Sequence, residues 1–128
     1  MRILTSEGNV KNAKSYPHWE ALYALLKDHE VKKLEGMLPL EEIKSLVEWA
    51  DTVITIDSFL PHLIEYHGIQ KKVIVLWGKS DPDIFGYAHN NNLLRDRMCL
   101  RNEQFKWWKD ESIDPEVFVA PEEVIKHL

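Results

Sequence analysis

The chain has 128 residues, 45% of them hydrophobic, and a formal net charge of −5 from 21 acidic and 16 basic side chains. This length is typical of one domain that buries its own core, so we expect a single domain over residues 1–128. The acidic balance leaves no broad basic face for a phosphate backbone, which argues against nucleic acid as the main ligand.

The amino-terminal part of the chain predicts a strand, a helix and a weaker strand. Residues 2–6 form a short strand-like run that ends in a Glu-Gly-Asn turn. A helix is predicted from Pro17, since proline suits the first turn. Its apolar residues recur on one face at helical spacing: Trp19, Leu22, Tyr23 and Leu26. A charged, weaker strand is expected over residues 31–35.

The middle of the chain predicts two buried strands separated by helices. A helix is predicted from Pro39, with an apolar face made of Ile43, Leu46, Val47 and Ala50. Residues 52–56 and 72–77 are β-branched or apolar almost throughout, as expected of central strands covered on both faces. Between these strands, a short helix is predicted from Pro61 to Gly68.

The carboxy-terminal part is less regular. Three consecutive asparagines at residues 90–92 predict a loop. Three aromatic side chains are expected to pack back onto the domain: Phe105, Trp107 and Trp108. A strand is predicted over residues 117–119, and a closing helix over residues 121–128.

This alternation of strands and helices predicts an α/β fold. We expect right-handed crossovers and a mostly parallel sheet flanked by helices, which together make a three-layer, Rossmann-like domain. Ligands of such open sheets bind beyond the carboxyl ends of the strands. The loops after Ser6, Ile56 and Trp77 should therefore converge on one edge and form the site.

The composition also bears on location. The single cysteine, Cys99, cannot form an internal disulfide, and no Cys/His spacing matches a structural zinc site. No run of about 18 apolar residues is present, and the first strand is too short for the core of a signal peptide. We therefore expect a soluble, cytoplasmic protein with no membrane span.

The turn Asp57-Ser58-Phe59-Leu60-Pro61-His62 is the most informative feature. A buried strand that passes directly into a helix leaves free backbone N–H groups beside polar side chains, which favours an anion site. Ser58 can donate to a phosphate oxygen, and His62 can donate to a sugar or phosphate. The alternative is that Asp57 only caps the helix and His62 is a surface residue.

Other candidates are weaker. Gly78-Lys79-Ser80 follows a strand as a phosphate loop does, but the earlier glycine of that motif is Val73, and Asp81-Pro82 is not expected to continue into a helix. Asp81 and Asp83 are expected to form a turn that caps its own backbone. The other histidines lie apart and are interpreted as solvated or packing residues: His18, His29, His67, His89 and His127.

Four segments match a known family in order and spacing. They are Lys14-Ser15-Tyr16-Pro17, then Gly36-Met37-Leu38-Pro39-Leu40, then Asp57-Ser58 with His62, and finally Leu76-Trp77-Gly78-Lys79-Ser80-Asp81-Pro82. The chain thereby resembles family 9 glycosyltransferases, the heptosyltransferase-like group, over roughly residues 5–95. The family carries Lys-Arg-Trp-Pro, Gly-x-x-x-Leu, Asp-Ser/Thr-Gly-x-x-His and Leu-Phe-Gly-x-Thr-x-Pro at these places.

The resemblance implies the carboxy-terminal half of a GT-B glycosyltransferase, which binds a nucleoside diphosphate-sugar or a nucleoside diphosphate. It implies that Lys14 neutralises diphosphate charge, that Ser58 and the backbone after Asp57 hold phosphate, and that His62 lies near the sugar. The remaining substrate-binding candidates lie in the last matching turn: Gly78 and Ser80. No metal or cofactor is expected, because cationic side chains and helix N-termini stabilise the departing diphosphate in this fold type.

Three departures from the family pattern bear on function. The stretch from Leu26 to Leu34 is short, since the family usually has another full strand and a glycine-containing loop there, which helps to hold the nucleoside. Phe59 stands where the family has a glycine, and a bulky side chain there can block or reshape the site. The resemblance does not cover the half that supplies the acceptor site and the catalytic base. Three interpretations stay open: an enzyme completed by an acceptor-domain partner chain or by self-association, a binding module without turnover, and an interaction domain that keeps only the scaffold.

Overall fold

The computed structural model describes residues 1–9, 11–106 and 111–128. Within these residues, strands β1 to β5 form one parallel sheet in the order β2-β1-β3-β4-β5. The strands are β1 Arg2–Ser6, β2 Glu30–Leu34, β3 Thr52–Ile56, β4 Lys72–Trp77 and β5 Asn91–Leu94. The helices are α1 Trp19–Leu25, α2 Leu40–Trp49, α3 Phe59–Tyr66, α4 Pro82–Phe85 and α5 Pro121–Ile125, with 3₁₀ turns at Arg97–Cys99 and Pro115–Val117.

The sheet is covered on both faces, because successive side chains of a strand point in opposite directions. On β4, Ile74 and Leu76 join the cluster beneath α1 and α5, whereas Val75 and Trp77 join the cluster beneath α2 and α3. Both central strands are buried along almost their whole length. The predicted three-layer, Rossmann-like α/β fold is confirmed.

The direction in which successive strands are added to the sheet reverses between β1 and β3. From β1 the chain crosses outward to β2, and it then returns to the other side of β1 to form β3. The loops that leave the carboxyl ends of β1 and β3 therefore diverge around a crevice, and open α/β sheets bind ligands at such a switch point.

Three helices begin at other residues than predicted, and α2 does so by a single residue, at Leu40 and not at Pro39. Helix α1 begins at Trp19 and not at Pro17, because residues 17 and 18 form a preceding turn. Helix α3 begins at Phe59, two residues before Pro61. A proline is tolerated anywhere in the first turn, where its missing N–H has no helical partner, so it does not fix the first residue.

The predicted strand over residues 117–119 is wrong. This segment is a 3₁₀ turn followed by extended chain, and its burial comes from packing and not from strand pairing. The Tyr16 hydroxyl donates a hydrogen bond of 2.9 Å to the Val119 carbonyl, and the Phe118 ring packs on Gly78. A run of three apolar residues indicates that the segment is buried, but it does not show that the segment pairs with another strand.

The loop predicted at residues 90–92 is also wrong, since β5 begins at Asn91 and pairs with β4. Asparagine is a poor strand former, but Asn92 is held in place by its side chain, which accepts a hydrogen bond from Trp77 Nε1 and donates to the Tyr87 carbonyl. Phe105 is 83% exposed and meets the Phe85 ring edge to face with centroids 5.6 Å apart, so most of its side chain is not packed as predicted. The predictions for Trp107 and Trp108 fall outside the described residues.

No helix in the described ranges combines the length and the apolar character that crossing a bilayer requires.

Candidate functional site

Two predicted site residues meet at the β1/β3 switch point. Lys14 belongs to the loop after β1, and Asp57 directly follows β3. Lys14 Nζ lies 3.0 Å from Asp57 Oδ2, with 24% and 10% of the two side chains exposed. The Oδ2 atom makes no hydrogen bond of regular geometry in the described chain. We interpret the contact as an ion pair, since Coulomb attraction depends on distance and not on angle.

Ser58 precedes α3 as its N-cap but does not cap it. Its side chain makes no capping bond, and its hydroxyl oxygen is shielded from solvent without a hydrogen-bond partner among the described residues. A serine at this position ordinarily accepts from one of the free N–H groups of the first turn. Because Pro61, the third residue of α3, has no N–H, the free donors of the first turn are the N–H groups of Phe59 and Leu60. A buried hydroxyl stands beside them, which is the arrangement that an anion would complete.

A pocket of about 200 Å³ continues from Lys14 toward the carboxyl end of β4. Ser80 contributes a side chain that is buried in the loop after β4. The pocket is lined by Lys14, Ser80, Phe85, Arg101, Gln104, Phe105 and Lys106. Three of these side chains are cationic, but two of them already pair with carboxylates, Lys14 with Asp57 and Arg101 with Glu111, so the positive charge of the pocket is partly compensated.

Arg101 is a pocket residue that the sequence analysis missed. Its side chain is only 9% exposed, donates to Ser80 Oγ at 3.1 Å and forms an ion pair with Glu111. Gln104 fixes the same segment by donating to the Lys79 carbonyl and accepting from the Asp81 N–H. Arg101 lies in irregular chain, and no periodic pattern around it points to the site.

The structure separates the other two predicted site residues from this pocket. Gly78 is buried with its α-carbon against the Phe118 ring, so its lack of a side chain is required by packing. His62 lies in the first turn of α3, exposed, and its Nδ1 is 2.7 Å from the Tyr87 hydroxyl. A part for Gly78 or His62 in substrate binding remains a prediction.

Phe59 does not occupy the pocket. Its side chain is 42% exposed, and it is absent from the residues that line the pocket beside Lys14. The bulky residue at the family's glycine position therefore leaves the space near Lys14 open.

A second pocket opens farther along the same edge, between the carboxyl ends of β1 and β2. It measures about 410 Å³, and its lining residues are Glu7, Gly8, Asn9, Leu34, Glu35, Gly36 and Met37. Glu7 accepts a hydrogen bond of 2.7 Å from the Tyr23 hydroxyl, which fixes one wall. Carboxylates beside an apolar side chain suit a ligand with hydroxyl groups and a flat ring.

The turn after β4 is built as predicted, with Asp81 capping its own backbone. Asp81 Oδ1 accepts from the Asp83 N–H at 2.9 Å, and Arg97 donates to both Asp81 oxygens. However, Asp81 and Pro82 do continue into a helix, α4, which the sequence analysis did not expect. The capping carboxylate and the proline at the first position together start that turn.

The pKa of Asp81 lies below its usual value. Burial raises it, but the hydrogen bond from Arg97, the Asp83 N–H and the charge of Arg97 lower it more. A carboxyl with a depressed folded-state pKa contributes stability above its unfolded pKa of about 3.9 and loses it as the pH falls through the lower folded value.

Asp81→Asn should retain the cap and lose the charge. We expect the variant to be less stable at pH 7 by under about 1 kcal/mol, since Arg97 is largely exposed. The difference should begin to shrink as the pH falls below the unfolded pKa of about 3.9, and it should approach zero only below the depressed pKa of the folded carboxyl, where wild-type Asp81 is protonated. Urea unfolding of both proteins from pH 7 down to about pH 2 measures the difference, and a difference independent of pH would refute the assignment.

The described residues contain no group of three or more His, Cys, Asp or Glu side chains arranged to hold a metal ion.

The parallel sheet and its polar carboxyl edge place the chain among Rossmann-like α/β proteins. The model of glycosyltransferase family 9 (heptosyltransferase) matches residues 10–107, which is most of the chain. The chain therefore belongs to glycosyltransferase family 9. Comparisons with curated proteins and with solved structures find no match.

Proposed function

We propose that residues 1–128 form the donor-binding, carboxy-terminal half of a GT-B glycosyltransferase and bind a nucleoside diphosphate-sugar at the carboxyl edge of the sheet. Membership of glycosyltransferase family 9 supports a glycosyltransferase-like function. The observation that carries the proposal is the uncapped start of α3, where the Ser58 hydroxyl, which has no hydrogen-bond partner among the described residues, lies next to the ion pair between Lys14 and Asp57.

The diphosphate is assigned to two adjoining positions. One phosphate binds to the free N–H groups of α3 and to the Ser58 hydroxyl, and the other binds to Lys14 and Ser80 in the cationic pocket. Asp57 orients Lys14 and does not contact phosphate, because two anions repel. The Ser58 hydroxyl is covered in the free protein, so binding requires a local side-chain movement.

The nucleoside is assigned to the larger pocket between β1 and β2. Both pockets lie on the edge where loops leave the sheet, on either side of the loop that carries Lys14. The carboxylates of Glu7 and Glu35 can accept from ribose hydroxyls, and Met37, which is 92% exposed, can cover the base. His62 and Gly78 stay candidate contacts for the sugar side of the ligand.

Transfer also needs a bound acceptor and a base that deprotonates it. We propose that an acceptor-binding surface on a partner chain or on a second copy faces this edge.

One observation favours a second candidate function, a binding module without turnover. Asp57, the carboxylate nearest the assigned phosphate, is already paired with Lys14 and so is poorly suited to act as a base.

Calorimetry with ADP, GDP, CDP, UDP and their sugar conjugates tests the proposal. We expect at least one nucleotide to bind, and Lys14→Ala to weaken it by at least about tenfold, the value of one charge-assisted hydrogen bond. Lys27→Ala is the matched control, because Lys27 is exposed beyond the far end of α1. Absence of nucleotide binding at millimolar concentration, or equal effects of the two substitutions on affinity, would contradict the proposal.

An assay of sugar release and transfer with the nucleotide-sugar that binds then separates the two candidates. Turnover that requires a partner chain or self-association supports the enzyme, and binding with no turnover supports the module.

A further inference from the structure

A hydrogen bond joins His62 to a tyrosine in the chain after α4. His62 Nδ1 is 2.7 Å from the Tyr87 hydroxyl, and the two rings meet edge to face with centroids 5.4 Å apart. In the described part of the chain, His62 Nε2 makes no hydrogen bond. One nitrogen of the imidazole is thus held, and the other is available to a ligand.

Tyr87 is itself fixed by a second contact with α3. Its ring stacks on His89, with centroids 5.9 Å apart and planes at 27°, and His89 Nε2 lies 2.7 Å from Glu65. Glu65 follows His62 by three residues, so the two lie on the same side of α3. The segment from Tyr87 to His89 is therefore tied to the helix at two points, which restricts the rotation of the phenol.

We propose that Tyr87 is a positioning residue for His62: its hydroxyl donates to Nδ1, so that neutral His62 carries its proton on Nε2 and offers that N–H to the ligand. This inference rests on the proposed function, in which the ligand is an oxygen-rich sugar diphosphate. In the opposite arrangement, Nδ1 donates to the phenol oxygen and Nε2 is left as an acceptor, which has no hydrogen to give to a phosphate oxygen.

A comparison of the donors and acceptors of the two side chains supports Tyr87 as the donor. With Tyr87 as donor, the phenol hydrogen and Nδ1 satisfy each other, and the remaining donor, Nε2–H, points to a partner outside the chain. With Tyr87 as acceptor, the phenol hydrogen has no other recipient among the described residues. The contact is exposed, so in that arrangement the phenol hydrogen bonds only to water, whereas donation to Nδ1, the more basic of the two partners, satisfies both groups within the protein.

A double-mutant cycle on nucleotide affinity tests the coupling. The probe is whichever of ADP, GDP, CDP and UDP binds most tightly. We expect Tyr87→Phe to weaken binding by about two- to tenfold in the wild-type background and to have no effect in the His62→Gln background. Tyr66→Phe is the matched control, since Tyr66 is on α3, is 86% exposed and makes no hydrogen bond among the described residues. A similar loss in both backgrounds would mean that Tyr87 acts only on the fold, and would overturn the inference.

Nitrogen-15 NMR of the histidine rings gives a readout that needs no ligand. Comparison with His62→Gln assigns the His62 signals. Wild type should show the proton on Nε2 and an Nδ1 shift typical of a hydrogen-bonded acceptor, and Tyr87→Phe should move Nδ1 to the shift of a free nitrogen. A wild-type proton on Nδ1 would overturn the inference. If no nucleotide binds, the proposed function fails, and these shifts alone decide whether Tyr87 holds His62.

Discussion

Gly78→Ala is expected to destabilise the domain by about 1–3 kcal/mol, the range for adding a methyl group to a filled core. A β-carbon on Gly78 would lie 2.6 Å from Phe118 Cζ, well inside van der Waals contact. Phe118 is 2% exposed, so its ring has no free space to enter. The loop after β4 and the segment before α5 would have to separate. Chemical unfolding of wild type and variant measures the cost.

The same clash predicts a specific coupling. Phe118→Leu removes the ring tip, so Gly78→Ala should cost clearly less in that background than in wild type. The nucleotide affinity of a folded Gly78→Ala variant separates packing from binding, because the prediction that Gly78 contacts substrate requires a loss of affinity. Additive costs in the two backgrounds would contradict the packing explanation.

Ser58→Asp is expected to abolish nucleotide binding while leaving the fold intact. Aspartate is among the best N-cap residues, so the new carboxylate should accept from the free N–H groups of α3 and change the free energy of unfolding by no more than about 1 kcal/mol in either direction. It would also place a negative charge where the phosphate is assigned. Like-charge contact costs several kcal/mol, so we expect affinity to fall by at least about 100-fold.

Ser45→Asp controls for the added charge, because Ser45 is exposed on α2 and lies outside both pockets. Calorimetry and urea unfolding on the three proteins test the pair of expectations together. Retained binding in Ser58→Asp would place the anion site elsewhere. A large loss of stability would show that Ser58 is a structural residue.

The central strands were predictable because consecutive β-branched and apolar residues indicate a strand that is buried on both faces. Thr52–Ile56 and Lys72–Trp77 appear at their predicted bounds, since β-branched and apolar runs of this length fit strands covered on both faces. The alternating order of strands and helices predicted the parallel sheet. Strand β5 was missed because two of its four residues are asparagines, and one of them, Asn92, is held in the strand by a side-chain hydrogen bond from Trp77.

The site was predictable only in part. Lys14 and Asp57 lie far apart in the sequence, but both follow the carboxyl ends of parallel strands, so topology brings them together. Arg101 and Tyr87 come from irregular chain, where no period indicates which side chain faces the pocket. Whether the Ser58 side chain caps α3 depends on the backbone and side-chain geometry of Ser58, which residue spacing does not encode.

A titration with inorganic pyrophosphate, followed through the backbone amide signals by NMR, tests the central claim most directly. Pyrophosphate keeps the diphosphate charge and lacks the base and the sugar. The account predicts saturable shifts at the amides of Phe59 and Leu60, in the first turn of α3, and their loss in Ser58→Asp. Unchanged amides at Phe59 and Leu60 at millimolar pyrophosphate, or saturable shifts confined to another part of the chain, would contradict it.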